Sequence, residues 1–304
     1  MSEDYPTTLL QFESRFCNEV ACREYLASLR WPAGFVCRKC KASDAWQTDR
    51  GLWRCRKCRH DTSVMAGTVF QDSHLPLMLW FRAIWFITSQ KYGASALGVQ
   101  RMLGLGSYKT AWSLLHKLRH AMIRPGRDRL SGIVEVDEAY LGADEAGVSG
   151  REFAKKMMIA VAVQQDGKRL GRIRLRQIFG HDRSTLHGFI RDSIEPGSTI
   201  RTDGLPAYRG LVGYEHEATV QRKQSKDVHL LPLVHLVISL LKRWLMGTHQ
   251  GAVQPEYLDY YLDEFTFRFN RRTSHSRGKL FYRLVQQAAQ VDPLTFEMLC
   301  NHDL

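Results

Sequence analysis

Two acidic side chains, Glu135 and Asp137, lie at the centre of an apolar run at residues 132–142 that begins and ends with glycine. The run is rich in β-branched residues, so it predicts a short buried strand. Alternate side chains of a strand share a face, which puts Glu135 and Asp137 together and Val134 and Val136 opposite. Two carboxylates buried on one face need a metal ion or another cation to compensate their charge. The pattern indicates a metal site, unless the acids lie at a solvated strand end.

Four cysteines form two pairs, each with two residues between its thiols: Cys37, Cys40, Cys55 and Cys58. This spacing is typical of a closed tetrahedral zinc site, which is structural because it leaves no open coordination position. A pair of disulfides is the alternative, and the cytosolic location expected below disfavours it. Two further cysteines, Cys17 and Cys22, lie outside this pattern and are expected to be buried as small apolar side chains.

The chain is strongly basic, with 43 Lys and Arg against 31 Asp and Glu and a formal net charge of +12. This favours a polyanionic partner, nucleic acid before a membrane surface. Basic residues surround the zinc cysteines, where they could hold DNA phosphates or form the solvated surface of a small metal domain. We favour DNA contacts because all the charges in this cluster are positive. The basic residues are Arg38, Lys39, Arg54, Arg56, Lys57 and Arg59.

At 304 residues, 44% of them hydrophobic, the chain can form two or three domains with a sizeable core. Its longest apolar stretches, near residues 75–88 and 230–241, are too short or too interrupted to span a bilayer. The acidic N-terminus lacks a secretion signal pattern, so we expect a cytoplasmic protein without a membrane partner.

Three segments precede the Asp137 strand: a helical segment at residues 1–30, a zinc ribbon at 31–70 and a helical region at 71–125. In the last of these, two amphipathic helices flank a glycine-containing turn at 104–106, as in a helix-turn-helix. Ser107 would cap the second helix and Lys109 would lie at the end that enters a DNA groove. An ordinary helical hairpin has the same pattern.

A catalytic domain is predicted at 130–290, followed by a tail at 291–304. Strand patterns at 157–163 and 173–178 are joined by a hairpin turn at 164–167, and a helix at 182–191 precedes a strand that delivers Asp203 into a turn. This is the order of an α/β, ribonuclease H-like fold, with a mixed sheet flanked by helices.

Two later helices could contribute to a site. Residues 231–246 have helical spacing, with His235, Ser239 and Lys242 on one face. Residues 256–272 carry aromatic residues that we interpret as packing. The segment ends in Arg271 and Arg272, which we interpret as phosphate contacts rather than a solvated helix end.

Together these residues closely resemble the insertion-sequence transposases that join an N-terminal zinc ribbon to a ribonuclease H-like DDE domain, the ISXO-like group. The resemblance spans almost the whole sequence. It is carried by the four paired cysteines and by residues 134–142, 202–204, 239–243, 247–248, 261–265 and 269–272.

The resemblance implies a set of catalytic residues. The family's first two catalytic aspartates correspond to Asp137 and Asp203, and its DNA-contacting lysine to Lys242, which Arg243 follows. Where many relatives carry Glu or Asn seven residues before the lysine, this chain has His235, an Asp-Asp-His-Lys variant. Imidazole brings no negative charge and suits softer metals than magnesium. Glu135 is therefore a candidate to assist the metal site, and weaker alternatives to His235 are His229, Asp263 and Glu264.

The resemblance also implies the activity. Such a protein binds the terminal inverted repeats of an insertion sequence and cuts and joins DNA strands, using two Mg²⁺ or Mn²⁺ ions for phosphoryl transfer. Synapsis of two ends implies at least a homodimer. Two rival functions are a ribonuclease H-like nuclease that does not join strands, and a transposase-derived DNA-binding regulator with an inactive core.

Overall fold

The structure is a computed structural model, and it describes residues 3–124, 126–142, 156–219 and 231–301. Contacts divide the chain into two units, Met1–Pro125 with Thr273–Leu304 and Gly126–Arg272. The helices are α1 Leu9–Arg15, α2 Glu19–Arg30, α3 Leu77–Ser89, α4 Ala96–Leu103, α5 Tyr108–Ala121, α6 Arg183–Ser193, α7 Pro232–His249, α8 Leu258–Phe269, α9 Arg277–Ala288 and α10 Phe296–Asn301. The strands are β1 Ala45–Gln47, β2 Trp53–Cys55, β3 Asp61–Thr62, β4 Ile133–Leu141, β5 Met157–Asp166, β6 Arg169–Ile178, β7 Thr199–Thr202 and β8 Glu215–Ala218.

The core of the first unit is an aromatic cluster that includes a residue from α9. Phe281 is fully buried, and its ring contacts Phe12, Phe16, Phe81 and Trp85 at centroid distances of 5.3 to 5.8 Å. The division therefore differs from the predicted catalytic domain at 130–290 and tail at 291–304, because the apolar face of α9 is buried with the N-terminal helices.

The zinc ribbon has three short antiparallel strands. Its small core combines the zinc cysteines with a stacked pair of rings, Phe35 and Trp53, whose centroids lie 5.7 Å apart. The third strand, β3, contains only Asp61 and Thr62, so no periodicity in the sequence could reveal it.

The two helices of the predicted helix-turn-helix are α4 and α5. Gly104 ends α4 in the left-handed conformation, at φ 63°, which a residue with a Cβ adopts less readily. Ser107 caps α5, as predicted, by accepting a hydrogen bond from the backbone N–H of Lys109 at 3.2 Å. The role of this pair of helices in DNA binding stays a prediction.

The second unit is built on a five-stranded mixed sheet in the order β6-β5-β4-β7-β8. Strands β4, β5 and β6 are antiparallel neighbours, and β7 and β8 run parallel to β4. With α6 between β6 and β7, this arrangement is consistent with the predicted ribonuclease H-like fold. Strand β8 was not predicted, because Glu-His-Glu-Ala has no strand-like pattern.

Helices cover both faces of this sheet. Helices α7 and α8 share one core with the sheet, in which Ala139 and Leu141 of β4 lie. Val134 and Val136 belong to the core on the opposite face, beneath α6. The two sets alternate along β4, so Glu135 and Asp137 lie on the α7 face, as the strand pattern predicted.

Helix α8 also covers the edge strand β6 through polar side chains. Asp259 accepts a hydrogen bond from the backbone N–H of Gln177 at 2.9 Å, and Asn270 bonds to both backbone groups of Ile173. Unpaired backbone groups at a sheet edge would otherwise recruit another chain.

None of the described helices is long and apolar enough to cross a bilayer. Cys22 is buried, as expected, but Cys17 is exposed, so the expectation was wrong for Cys17. It lies between α1 and α2, where the chain turns at the surface.

Candidate active site and zinc site

The four paired cysteines converge on one point. Their sulfur atoms all lie within 4.8 Å of one another, with Cys37 3.6 Å from Cys58 and Cys40 3.5 Å from Cys55. A disulfide would need sulfurs about 2 Å apart, and all four cysteines are free. A tetrahedral zinc ion with Zn–S bonds of about 2.3 Å separates its sulfurs by about 3.8 Å. The donor set therefore fits a structural zinc ion.

The local backbone favours the thiolate form that zinc requires. The backbone N–H of Cys40 lowers the pKa of Cys37, with a further contribution from the N–H of Lys39. Both groups lie in the turn that holds the first cysteine pair. Within this turn, the backbone therefore stabilises the thiolate of Cys37.

Two neighbouring parallel strands bring the predicted catalytic aspartates together. The β4–β7 pairing ends with Glu135 opposite Arg201. Asp137 lies two residues beyond Glu135 on β4, and Asp203 lies two residues beyond Arg201 in the chain. Asp203 follows directly after β7, and its Oδ1 accepts a hydrogen bond from the backbone N–H of Leu205 at 3.0 Å. This turn holds the carboxylate at the end of the strand.

Asp137, Asp203 and His235 interact electrostatically. Burial raises the pKa of Asp137, the Asp203 carboxylate raises it further, and His235 lowers it. The backbone N–H of Glu138 also lowers this pKa, by donating to Asp137 Oδ1 at 2.9 Å. Two partly buried carboxylates beside an imidazole form a set of donors that attracts a cation.

His235 and Lys242 lie on the outer side of α7, where both side chains are exposed, as is Arg243. The opposite side of the helix is buried in the core shared with the sheet. Its buried residues are Val234, Val237, Ile238, Leu241, Trp244 and Leu245. The helix thus carries a metal-ligating residue type and a cation outside the core that it shares with the sheet.

Glu135 contacts α7 directly. Its Oε2 atom accepts hydrogen bonds from the backbone N–H groups of Leu233 and Val234, both at 2.9 Å. Burial raises the pKa of Glu135, and these two N–H groups lower it. The predicted assistance to a metal ion stays a prediction; the partners that the structure gives Glu135 are those of a helix cap.

The sequence analysis missed Glu138, which lies on the other face of β4 from Asp137. Burial raises its pKa to about 7, the Tyr208 hydroxyl lowers it, and the carboxylates of Asp137 and Asp203 raise it. Tyr208 is fully buried and packs in the core beneath α6. A charged residue directly after Asp137 in an apolar strand could have drawn attention to Glu138. Its partner Tyr208, however, is 70 residues away in sequence, so no local pattern links the two.

Asp137, Asp203 and His235 do not form a compact cluster like that of the zinc cysteines. Within the described ranges, only the four cysteines bring three or more metal-ligating atoms within 4.8 Å of one another. Ions of a two-metal site lie about 3.5–4 Å apart, so ligands of different ions need not approach so closely.

The residues ranked below His235 as a third metal ligand are not on α7. His229 lies outside the described residues. Asp263 and Glu264 are on α8, and the charged groups that act on Asp263 are Arg127 and Asp259. Glu264 is fully buried on the same helix.

The predicted DNA contacts of the ribbon differ in their surroundings. Arg38, Lys39, Arg56 and Lys57 are exposed or partly exposed. Arg56, however, forms an ion pair with Asp44 at 3.1 Å and lies 5.4 Å from the centre of the Trp46 ring. A phosphate would have to compete with Asp44 for Arg56.

Three other predicted DNA contacts bind parts of the protein itself. The Lys109 ammonium lies over the Phe296 ring at 5.2 Å, and the Arg271 guanidinium over the Phe267 ring at 4.0 Å. Arg272 donates hydrogen bonds to backbone carbonyl groups of β6. Arg272 therefore has a structural role in attaching the end of α8 to the sheet.

Comparisons with known proteins agree with this architecture. Residues 129–270 match a family model for the ISXO2-like transposase domain, the IS1595 DDE type, and residues 17–61 match the corresponding transposase zinc-ribbon domain. A protein of Halobacterium salinarum, described as an uncharacterized protein in transposable element ISH50, is 26% identical over 301 residues, which cover 90% of this chain and 98% of that protein. The matches to a zinc ribbon and a DDE domain of one family, in this order, support an IS1595-family transposase.

Proposed function

We propose that this protein is an active DNA transposase, which binds the terminal inverted repeats of an insertion sequence and catalyses strand cleavage and strand transfer. The observation that carries the proposal is that Asp203, which directly follows the strand β7 beside β4, and His235 both act electrostatically on Asp137 of β4. This is a set of donors for divalent cations beside an exposed lysine and arginine, on a domain of a transposase family.

Asp137 would hold both catalytic ions, and Asp203 and His235 one ion each. Two bound Mg²⁺ or Mn²⁺ ions supply Lewis-acid stabilisation of the charge that develops on the phosphate. Lys242 holds a DNA phosphate near the scissile bond, and Arg243 adds positive charge on the same helix.

The reaction needs no covalent enzyme intermediate. In cleavage, a water oxygen attacks the phosphorus and the DNA 3′ oxygen leaves, which produces a 3′-hydroxyl. In joining, that hydroxyl attacks a phosphate of the target DNA, and the target's own 3′ oxygen leaves. Both steps are in-line displacements, so one site with the same residues performs them in turn.

The N-terminal unit would bind the DNA. We infer that the zinc ribbon, with Lys39 and Lys57 exposed, and helices α4 and α5 hold the terminal repeats. Bringing two ends together requires at least a dimer of the chain. Target DNA would then enter the site beside α7.

A cleavage and joining assay with duplexes carrying the element's end tests the proposal. Asp137→Asn and Asp203→Asn should lose cleavage and joining but keep end binding, whereas Asp192→Asn, which removes an exposed carboxylate, should behave as wild type. Cleavage retained in either active-site variant contradicts the assignment. A pre-cleaved end that is never joined to target DNA would indicate a nuclease, and metal-independent binding without cleavage a regulator.

A further inference from the structure

Helix α7 begins without a capping side chain of its own. Its first residue is Pro232, and the preceding residue, Leu231, makes no capping hydrogen bond with its side chain. The backbone N–H groups of a first helical turn lack partners within the helix, so they need acceptors from elsewhere. Glu135 of β4 supplies one: a single carboxylate oxygen accepts from both Leu233 and Val234.

This contact is strong for physical reasons. Glu135 is only 4% exposed, so water competes little for its carboxylate. The N-terminus of a helix carries a partial positive charge, which favours an oxygen acceptor at this position. Across the sheet Glu135 pairs in register with Arg201, which forms an ion pair with Glu217 at 2.7 Å.

On both elements, the contact is made by residues that lie close to the predicted ligands in sequence. Glu135 is two residues before Asp137 on one face of β4, and Val234 directly precedes His235 on α7. The bonds join residues 98 and 99 positions apart in sequence. The distance between Asp137 and His235 therefore depends on this tertiary contact rather than on the intervening chain.

We propose that Glu135 is a positioning residue: it fixes the N-terminus of α7 to β4 and so holds His235 within reach of an ion bound by Asp137, without itself being a metal ligand. The inference rests on the proposed function, because it assumes that Asp137 and His235 share a divalent site. Residues that orient metal ligands through hydrogen bonds commonly affect metal affinity 10-fold to 100-fold.

Two substitutions separate positioning from direct ligation. Glu135→Gln keeps a carbonyl oxygen that can accept from both N–H groups but loses the charge that a ligand would provide. Glu135→Ala loses the acceptor as well. Glu217→Ala is the matched control, since it removes a glutamate from the same sheet face that does not bond to α7.

Hydrogen exchange of the full-length, zinc-loaded protein measures the contact itself. In Glu135→Ala, peptides from the first turns of α7 should exchange at least about 10-fold faster, while peptides of the zinc ribbon keep their rates; Glu135→Gln and Glu217→Ala should resemble wild type. Unchanged α7 exchange in Glu135→Ala overturns the proposal. Faster exchange in every peptide of the second unit would mean that Glu135→Ala unfolds generally. In that case Glu135→Gln is the test: wild-type exchange of α7 in this variant supports the proposal, and faster exchange confined to α7 overturns it.

The effect of this contact on metal affinity is measured as Mn²⁺ binding, monitored by electron paramagnetic resonance. Glu135→Ala should weaken binding about 10-fold, and Glu135→Gln less than about 3-fold. A loss in Glu135→Gln as large as in Glu135→Ala means that Glu135 is a ligand and overturns the proposal. Neither measurement uses DNA cleavage, so a wild-type protein that fails to cleave would contradict the proposed function and leave the test of Glu135 intact.

Discussion

Asn270 pairs with Ile173 as a neighbouring strand would. Its Oδ1 accepts from the backbone N–H of Ile173 at 2.7 Å, and its Nδ2 donates to the carbonyl at 3.2 Å. We expect Asn270→Ala to destabilise the β6 edge by about 1–3 kcal/mol, because both backbone groups lose a partner. Native-state hydrogen exchange of β6 peptides would measure this. Gln254→Ala, an exposed change before α8, should leave β6 protection unaltered.

Gly278 of α9 leaves no room for a side chain. A Cβ at this position would lie 1.6 Å from the carbonyl oxygen of Pro6, a backbone atom that cannot move aside alone. Gly278→Ala should therefore lower the melting temperature by several degrees, through a cost of about 1–3 kcal/mol. Gly188→Ala in α6 is the opposite case: nothing lies within 4 Å of its Cβ, so better helix propensity should maintain or raise the melting temperature.

The stability of the second unit should depend on pH through Asp263. Burial raises the pKa of Asp263 to about 8, from an ordinary value of 3.8. The folded protein thus keeps a proton that the unfolded chain releases above about pH 4. The stabilisation is complete below that pH and is lost as the pH rises towards 8.

Asp263→Asn should remove this dependence. Between pH 5 and pH 8 the wild type should lose about 1–2 kcal/mol more than the variant, allowing for solvent screening of a partly exposed group. Denaturant unfolding of both proteins at the two pH values measures the difference. Asp166→Asn, at an exposed position, should follow the wild type; equal pH slopes for wild type and Asp263→Asn would contradict the prediction.

Zinc content should depend on the four paired cysteines and not on the others. Cys55 is fully buried among the sulfur atoms, so Cys55→Ser should release zinc and increase the proteolytic sensitivity of the ribbon. Cys300→Ser, at an exposed position on α10, should keep about one zinc per chain. Metal analysis of the purified proteins measures both. A zinc-loaded Cys55→Ser protein would exclude the four-sulfur site.

The choice of metal should depend on His235. A carboxylate adds negative charge and suits hard cations, whereas imidazole favours softer ions. We expect His235→Glu to raise activity in Mg²⁺ relative to Mn²⁺, and His235→Ala to reduce activity at least about 100-fold in both. Leu236→Ala, an exposed change beside it, should retain activity. An Ala variant as active as wild type would remove His235 from the site.

Local patterns in the sequence were sufficient to predict the strand that carries Asp137, the zinc cysteines and the helix that carries His235. Each depends on a short-range rule: alternation of side chains along a strand, the spacing of metal ligands, or the recurrence of apolar residues on one face of a helix. The cap at Ser107 was predictable for the same reason, since its hydrogen-bond partner is only two residues away.

Contacts distant in sequence were not predictable. Glu135 caps a helix 98 residues away, and the Glu138–Tyr208 interaction requires α6 and the turn after β7 to be in place. Local sequence patterns do not specify which end of a strand lies next to which helix N-terminus. Strand β8 exists because β7 offers it an edge, although its own residues have no strand-like alternation.

The position of α9 has a consequence for protein synthesis. Phe281, at the centre of the aromatic core of the first unit, is translated after the entire second unit. The helices from α1 to α5 leave the ribosome without the residue that completes their core. The second unit, whose core is continuous in sequence, can fold while the chain is still being made. The first unit can therefore be completed only after the whole second unit has been translated.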